Sequence, residues 1–146
     1  MSLSKREAKS NRETHFDPEV LAKVLRDGCP ELQFALLLGS ARDGVIPPGG
    51  DLDLAVALDG PLDFKLRNRL AELVRTLIPE ADLDLGYFNR AEPVYRFEAL
   101  KGRLLFARDP DVYAGHFSQT CREYERQMWD YLRQARYRLQ RSGEAA

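Results

Sequence analysis

The fold is decided by the stretch Asp51-Leu52-Asp53-Leu54-Ala55-Val56-Ala57-Leu58. It alternates at its start and is apolar afterwards, which predicts a buried β-strand. Side chains two apart on a strand point to the same face, so the carboxylates of Asp51 and Asp53 project together. Two like charges at that spacing repel unless a cation lies between them. Mg²⁺ takes hard oxygen ligands and is usually shared with substrate phosphates, so this pair is a candidate magnesium site.

A glycine and a serine lie upstream of this strand, at the end of another apolar run. Residues 32–38 predict a buried strand that feeds a tight turn at Gly39-Ser40, followed by a short helical turn and a loop. Glycine lets the backbone come close to a ligand, and serine offers a hydroxyl and an N–H. Free N–H groups at a helix start favour phosphate, and Arg42 can add a charge-assisted contact. We therefore expect Gly39, Ser40 and Arg42 to form a phosphate-binding loop.

A third acidic position follows on a strand predicted over residues 82–88. Acidic side chains fit poorly into such a strand unless they have a function, such as binding a metal ion. If this strand neighbours residues 51–58, Asp84 can face the first two carboxylates and complete a cluster able to hold two Mg²⁺ ions. Asp82 lies on the same face as Asp84, so alternation alone does not choose between them.

The remaining elements predict an α/β (α+β) fold with a small mixed β-sheet, flanking helices and a long C-terminal helix. Asp17-Pro18 predicts a helix start, Pro79 ends a second helix, and Pro93 begins a short third one. The division we expect is a flexible N-terminal tail over residues 1–16, a domain over 17–110, and a helix over 111–146 that packs on the domain or on a partner.

The composition bounds the class of protein. The chain has 146 residues, of which 44% are hydrophobic and 31% charged, typical of one compact globular domain. Lys and Arg number 22 and Asp and Glu 23, so no global field attracts nucleic acid or an anionic membrane, and direct nucleic-acid binding is not expected. Cys29 and Cys121 have no metal-ligand spacing and are expected to be reduced thiols. We expect a cytoplasmic protein without membrane contact.

The spacing of these motifs resembles a known signature. Gly39-Ser40, ten intervening residues and Asp51-Leu52-Asp53 are similar to the pattern of the polymerase β-like nucleotidyltransferase superfamily. Within it, the chain most resembles the minimal nucleotidyltransferases (MNT proteins), which are often paired with a HEPN partner. The resemblance covers roughly residues 30–108 and includes Arg90-Ala91-Glu92-Pro93 and Gly102-Arg103-Leu104. In that pattern, counting back from Pro93 favours Asp84 over Asp82 as the third carboxylate.

The resemblance implies a nucleotidyltransferase fold and a Mg²⁺-dependent enzyme that moves a nucleoside monophosphate, AMP from ATP, to a hydroxyl. Asp51 and Asp53 would hold two metal ions, and Asp84 would complete the site and help deprotonate the acceptor. Gly39 and Ser40 would hold the β- and γ-phosphates. MNT proteins paired with HEPN proteins are antitoxins that attach AMP to a tyrosine of a HEPN ribonuclease toxin, so the resemblance implies a separate HEPN partner chain.

Two alternative functions stay open at this stage. A small-molecule transferase uses the same carboxylates, and an antitoxin with a vestigial site would act by occlusion. The chain departs from the family at Gly50, where serine is common, and at Asp43, where a second basic residue is often seen.

The last helix carries an apolar stripe that can pack on the sheet, on a second copy or on a partner; its members are Phe117, Cys121, Tyr124, Met128, Leu132, Ala135 and Leu139.

Overall fold

The structure is a computed structural model that describes residues 12–145. Within residues 12–145, six strands form two sheets: β1 (Thr14–His15), β2 (Leu32–Leu37), β3 (Val45–Ile46), β4 (Leu52–Leu58), β5 (Leu83–Tyr87) and β6 (Arg103–Ala107). The main sheet has the order β5-β4-β2-β6, while β1 and β3 pair separately. Strand β2 runs antiparallel to both of its neighbours, and β4 runs parallel to β5. The sheet is therefore mixed, as the sequence predicted.

Four α-helices surround the sheet in the part of the chain that the structure describes: α1 (Pro18–Gly28), α2 (Phe64–Leu77), α3 (Pro93–Leu100) and α4 (Pro110–Ala145). Short 3₁₀ turns lie just after β2, at Gly39–Asp43, and just after β5, at Phe88–Arg90. The carboxylate of Asp17 accepts the N–H of Glu19 at the start of α1, and Asp63 accepts the N–H of Leu66 at 2.8 Å at the start of α2. Such caps satisfy N–H groups that a helix start leaves without partners.

The core lies on both faces of the main sheet, which explains why β2 and β4 have almost continuous apolar sequences. One face packs against α1 and α2 and contains Leu21, Leu25, Leu70 and Val74. The other face is centred on Phe34, whose ring meets Phe88 edge-on at 5.2 Å. Helices α1 and α2 approach each other closely at Gly28. A β-carbon at that position would lie 2.5 Å from Leu73 Cδ2. Gly28 is the last residue of α1 and the point of its close contact with α2.

The predicted fold class is confirmed, with small differences in the bounds of the elements. The largest concerns the N-terminus, where a flexible tail was expected over residues 1–16. Thr14 and His15 instead pair with Ile46 and Val45, and the Phe16 N–H donates to Gly44 O at 2.9 Å. Backbone pairing does not depend on an apolar side-chain pattern, so hydropathy could not reveal it. Residues 1–11 lie outside the described part of the chain, and the division at residue 110 stays a prediction.

Helix α4 continues to Ala145, close to the bounds of the helix expected over 111–146 and beyond Leu139, the last member of its apolar stripe. In residues 12–145, no helix combines the length and apolar character needed to cross a bilayer.

Candidate active site

Asp53 and Asp84 lie directly opposite each other on neighbouring parallel strands. The register pairs Leu52 with Leu83, Asp53 with Asp84, and Leu54 with Leu85. Both carboxylates therefore project from the same face of the sheet, as expected if the two strands were neighbours. Asp51 precedes β4 by one residue and is exposed.

Asp82 takes a different position. It precedes β5, its side chain is exposed, and its carbonyl oxygen accepts the N–H of Leu52 at 2.8 Å. Its carboxylate is not among the groups that perturb Asp53, whereas those of Asp84 and Asp51 are. In the register of β4 and β5, Asp84 and not Asp82 therefore lies opposite Asp53, and the role of Asp84 as the third carboxylate stays a prediction.

The carboxylate of Asp84 affects the protonation of the neighbouring Asp53. The pKa of Asp53 is raised above its ordinary value, first by burial, then by the charge of Asp84 and a hydrogen bond with it, and then by the charge of Asp51. Each of these effects disfavours a second negative charge at the site. A divalent cation would reverse the sign of the local field and stabilise both ionised forms.

The donor set fits a metal ion shared with a substrate better than a closed protein cage. Within the described residues, no group of three or more His, Cys, Asp or Glu side chains is arranged to hold a metal ion. Mg²⁺ is usually bound through one or two carboxylates together with waters and substrate phosphates. The facing pair Asp53 and Asp84 meets that requirement. The role of Asp51 as a third ligand stays a prediction.

The Gly39 turn lies against the same carboxylates. Gly39 has a φ of +63°, which favours glycine, and a β-carbon there would lie 3.5 Å from Asp53 Oδ2. The Leu38 N–H donates to Asp53 O at 2.9 Å, which holds the turn beside β4. The 3₁₀ turn at Gly39–Asp43 confirms the short helical turn expected after Ser40, and Ser40 itself is exposed. A ligand at the carboxylates would therefore meet this backbone as well.

Arg42 holds the turn in place. Its Nε donates to Gly39 O at 3.1 Å and its Nη1 to Lys101 O at 3.4 Å. In return, Arg103 Nη1 donates to Arg42 O at 3.2 Å. The guanidinium that was expected to bind phosphate thus donates two of its hydrogen bonds to backbone carbonyl oxygens. A direct contact between Arg42 and a phosphate stays a prediction.

Tyr95 belongs to this site and was missed by sequence reasoning. Its hydroxyl lies over Gly86 in β5, where a β-carbon would be 2.7 Å from Tyr95 Cζ. The pKa of Tyr95 is raised by burial and then by the negative charges of Asp84 and Asp53, so the phenol stays protonated near the acids. The feature of the sequence that could have revealed this contact is Gly86, because a glycine inside a strand often marks the close approach of another group.

One cavity near the sheet includes the Gly39 turn and Tyr95, which approach the acids, although Asp51, Asp53 and Asp84 do not line it themselves. This cavity of about 310 Å³ includes Gly39, Arg42 and Tyr95 in its lining, together with Leu38, Glu98 and Lys101. A larger cavity of about 700 Å³ lies between α1 and β6 and is lined by none of the carboxylates in question. We therefore place the candidate site at the Gly39 turn because of the residues found there, although the cavity between α1 and β6 has the larger volume.

The family is shown by comparison with known sequences. Residues 19–111 match the family model described as polymerase beta, nucleotidyltransferase. The chain belongs to the polymerase beta nucleotidyltransferase family. It is a nucleotidyltransferase, as the sequence analysis expected. None of the curated proteins compared with it matches.

Three solved structures similar to this nucleotidyltransferase are described as toxin–antitoxin complexes. One, described as a toxin–antitoxin with AMP-PNP, is 27% identical, covers 82% of this chain and 94% of its own, and has a TM-score of 0.65. A MntA–HepT toxin–antitoxin is 25% identical over 81% and 91%, with a TM-score of 0.60. The third is described as a tri-AMPylated HEPN toxin from Shewanella oneidensis in complex with MNT antitoxin, at 25% identity over 82% and 94% and a TM-score of 0.60. The resemblance to MNT proteins is thereby confirmed.

Proposed function

We propose that this nucleotidyltransferase transfers AMP from ATP to a hydroxyl, namely a tyrosine of a HEPN-class partner, and acts as the antitoxin of that pair. The observation that carries the proposal is the register of Asp53 and Asp84 beside the Gly39 turn. The choice of nucleotide and acceptor is supported by the similar complexes, which are described with AMP-PNP and with an AMPylated HEPN toxin.

In this proposal the carboxylates bind the metal and handle the acceptor proton. Asp53 and Asp84, with Asp51, hold up to two Mg²⁺ ions. When bound there, Mg²⁺ would supply positive charge that neutralises the phosphates. Asp84 accepts the proton of the attacking hydroxyl and passes it to water. The acceptor oxygen bonds to the α-phosphorus while the bond from that phosphorus to the bridging oxygen breaks, and pyrophosphate leaves.

The Gly39 turn binds the other end of the nucleotide. The absence of a side chain at Gly39 lets backbone N–H groups approach the β- and γ-phosphates, and Ser40 adds an exposed hydroxyl. Arg42 keeps the turn in this conformation through Gly39 O. These groups act by positioning and charge stabilisation, which supply most of the rate in phosphoryl transfer.

The acceptor is tested with labelled ATP. The full-length protein, Mg²⁺ and ATP labelled at the α-phosphate are incubated with the HEPN-class protein encoded beside it, and tyrosines are mapped by mass spectrometry. The matched variants are Asp53→Asn and Asp82→Asn, because the two acids lie near each other and only Asp53 faces Asp84. Label on a partner tyrosine with wild type and Asp82→Asn, and none with Asp53→Asn, supports the proposal.

Other outcomes point to the alternative functions. A HEPN partner that is neutralised equally well by Asp53→Asn, without label transfer, would favour an antitoxin that acts by occlusion. Label that goes to a small hydroxyl compound such as an aminoglycoside, and never to the partner, would favour a small-molecule transferase.

A further inference from the structure

Helix α4 changes character along its length. Its first half packs against the domain: Tyr113 meets the Phe34 ring edge-on at 5.0 Å, and Tyr124 stacks on Phe97 with the ring centroids 3.9 Å apart. Thr120 is fully buried. Beyond Met128 the same helix continues while its side chains become exposed. The distal half therefore extends past the part of the domain that covers the proximal half.

The distal half keeps its large apolar side chains although nothing in the described chain covers them. Trp129 is 68% exposed, Leu132 56% and Leu139 74%. Together with Ala135, these side chains form one open apolar groove that Arg133 and Arg136 also line. An exposed apolar surface of this kind usually marks an interaction site rather than a solvated helix face.

The charge of this segment limits what can cover it. From Trp129 to Leu139 the charged residues are three arginines, at 133, 136 and 138, and one acid, Asp130. A second copy packed antiparallel on the same segment would set these arginines against an identical set, with Asp130 as the one acid that each copy contributes. Like charges across an interface are costly, so the segment favours an acidic partner over itself.

The residue types favour a protein partner. Tryptophan, tyrosine and arginine are enriched among the residues that dominate protein–protein binding energy. The segment has Trp129, Tyr131 and Tyr137, and Arg141 lies over the Tyr137 ring at 5.8 Å. We propose that α4 from Trp129 to Leu139, the distal surface, is the docking surface for a protein partner that presents acidic residues around an apolar groove. Its identification with the HEPN-class partner rests on the proposed function.

The test measures binding and transfer in the same samples. The full-length chain and the adjacent HEPN-class protein are titrated by calorimetry at two salt concentrations. The variants are Trp129→Ala, Leu132→Ala and the charge reversal of Arg133→Glu with Arg136→Glu. Phe64→Ala is the matched control, because Phe64 is a large apolar side chain that is 78% exposed on α2. Circular dichroism checks that each variant keeps its helix content.

We expect Trp129→Ala and Leu132→Ala each to weaken binding by about tenfold or more. The charge reversal should weaken it further and reduce its salt dependence, because the arginines supply the electrostatic attraction. Phe64→Ala and Asp53→Asn should bind like wild type. Wild-type affinity in all distal-surface variants would overturn the inference while leaving AMP transfer to the partner intact.

The remaining outcomes separate the inference from the proposed function. AMP transfer that persists in Asp53→Asn, with binding still lost in Leu132→Ala, overturns the proposed function and supports the docking surface. If the chain alone forms a dimer that Leu132→Ala dissociates, the inference is overturned in favour of a second copy. If the chain binds phosphatidylglycerol vesicles and the same variant abolishes that binding, it is overturned in favour of a membrane. Absence of any complex also overturns it, and the transfer assay then reports on the proposed function independently.

Discussion

The hydroxyl of Tyr95 occupies the space above Gly86 that a β-carbon at position 86 would need. This contact joins α3 to β5 two residues after Asp84, at the edge of the candidate site. The phenol, the two facing acids and the Gly39 turn therefore form one packed unit. A change at Gly86 should reach the acids through Tyr95.

Gly86→Ala should displace Tyr95 and lower kcat/KM for AMP transfer by on the order of tenfold to a hundredfold, because small displacements of positioned groups are costly in catalysis. It should also lower the melting temperature. Tyr95→Ala removes the obstructing ring, so adding Gly86→Ala to that background should cost little further stability. A Gly86→Ala protein with wild-type activity and melting temperature would contradict the contact.

Asp53→Asn should stabilise the metal-free protein at neutral pH. The pKa of Asp53 is raised above its ordinary value of 3.8 by burial and by Asp84 and Asp51. The folded state therefore binds more protons than the unfolded state, and stability falls as pH rises from that value through the raised pKa. Melting curves of wild type and Asp53→Asn should diverge as pH increases, whereas Asp82→Asn should follow wild type. Curves that run parallel at every pH would contradict the assigned repulsion.

Mg²⁺ should reverse that order. A cation that binds the folded protein raises its melting temperature by an amount that grows with the logarithm of its concentration relative to its Kd. With Mg²⁺ and a non-hydrolysable ATP analogue, wild type should gain more stability than Asp53→Asn, since the variant lacks one carboxylate of the facing pair. An equal gain in both proteins would place the metal elsewhere.

Arg42→Ala should raise the KM for ATP and lower kcat/KM by about tenfold, because the Gly39 turn loses two hydrogen bonds from the guanidinium. Arg42→Lys should rescue little of this loss, since an ammonium cannot reach both carbonyl oxygens as the planar fork does. Steady-state kinetics of the three proteins decide the point. Full rescue by lysine would mean that only the positive charge of Arg42 matters.

The two thiols should differ in reactivity. Burial, together with a hydrogen bond to Glu31 and its charge, raises the pKa of Cys29 to about 11, so it stays a protonated thiol at neutral pH. Cys121 is partly exposed on α4. A disulfide reagent at pH 7.5 should label Cys121 first and Cys29 only on unfolding, because the thiolate is the reactive form. Rapid labelling of Cys29 in the folded Cys121→Ser protein would contradict this.

The sequence predicted the strand that carries Asp51 and Asp53 because hydrophobic periodicity and motif spacing agree there. It could not choose Asp84 without the family resemblance, since the choice depends on which residue of β5 pairs with Asp53. Tyr95 was missed because its place over Gly86 depends on how α3 packs across β5, which no local pattern encodes. The apolar stripe of α4 likewise continues unchanged from Phe117 to Leu139, although the domain beneath it ends near Met128.

The most direct test of the central claim compares AMP transfer by wild type, Asp53→Asn, Asp84→Asn and Asp82→Asn at saturating Mg²⁺. If the facing pair holds the metal–nucleotide complex, the first two variants lose about a hundredfold or more in kcat/KM, while Asp82→Asn keeps wild-type turnover. The opposite pattern, with Asp82→Asn inactive and Asp84→Asn active, would contradict the site described by the register of β4 and β5.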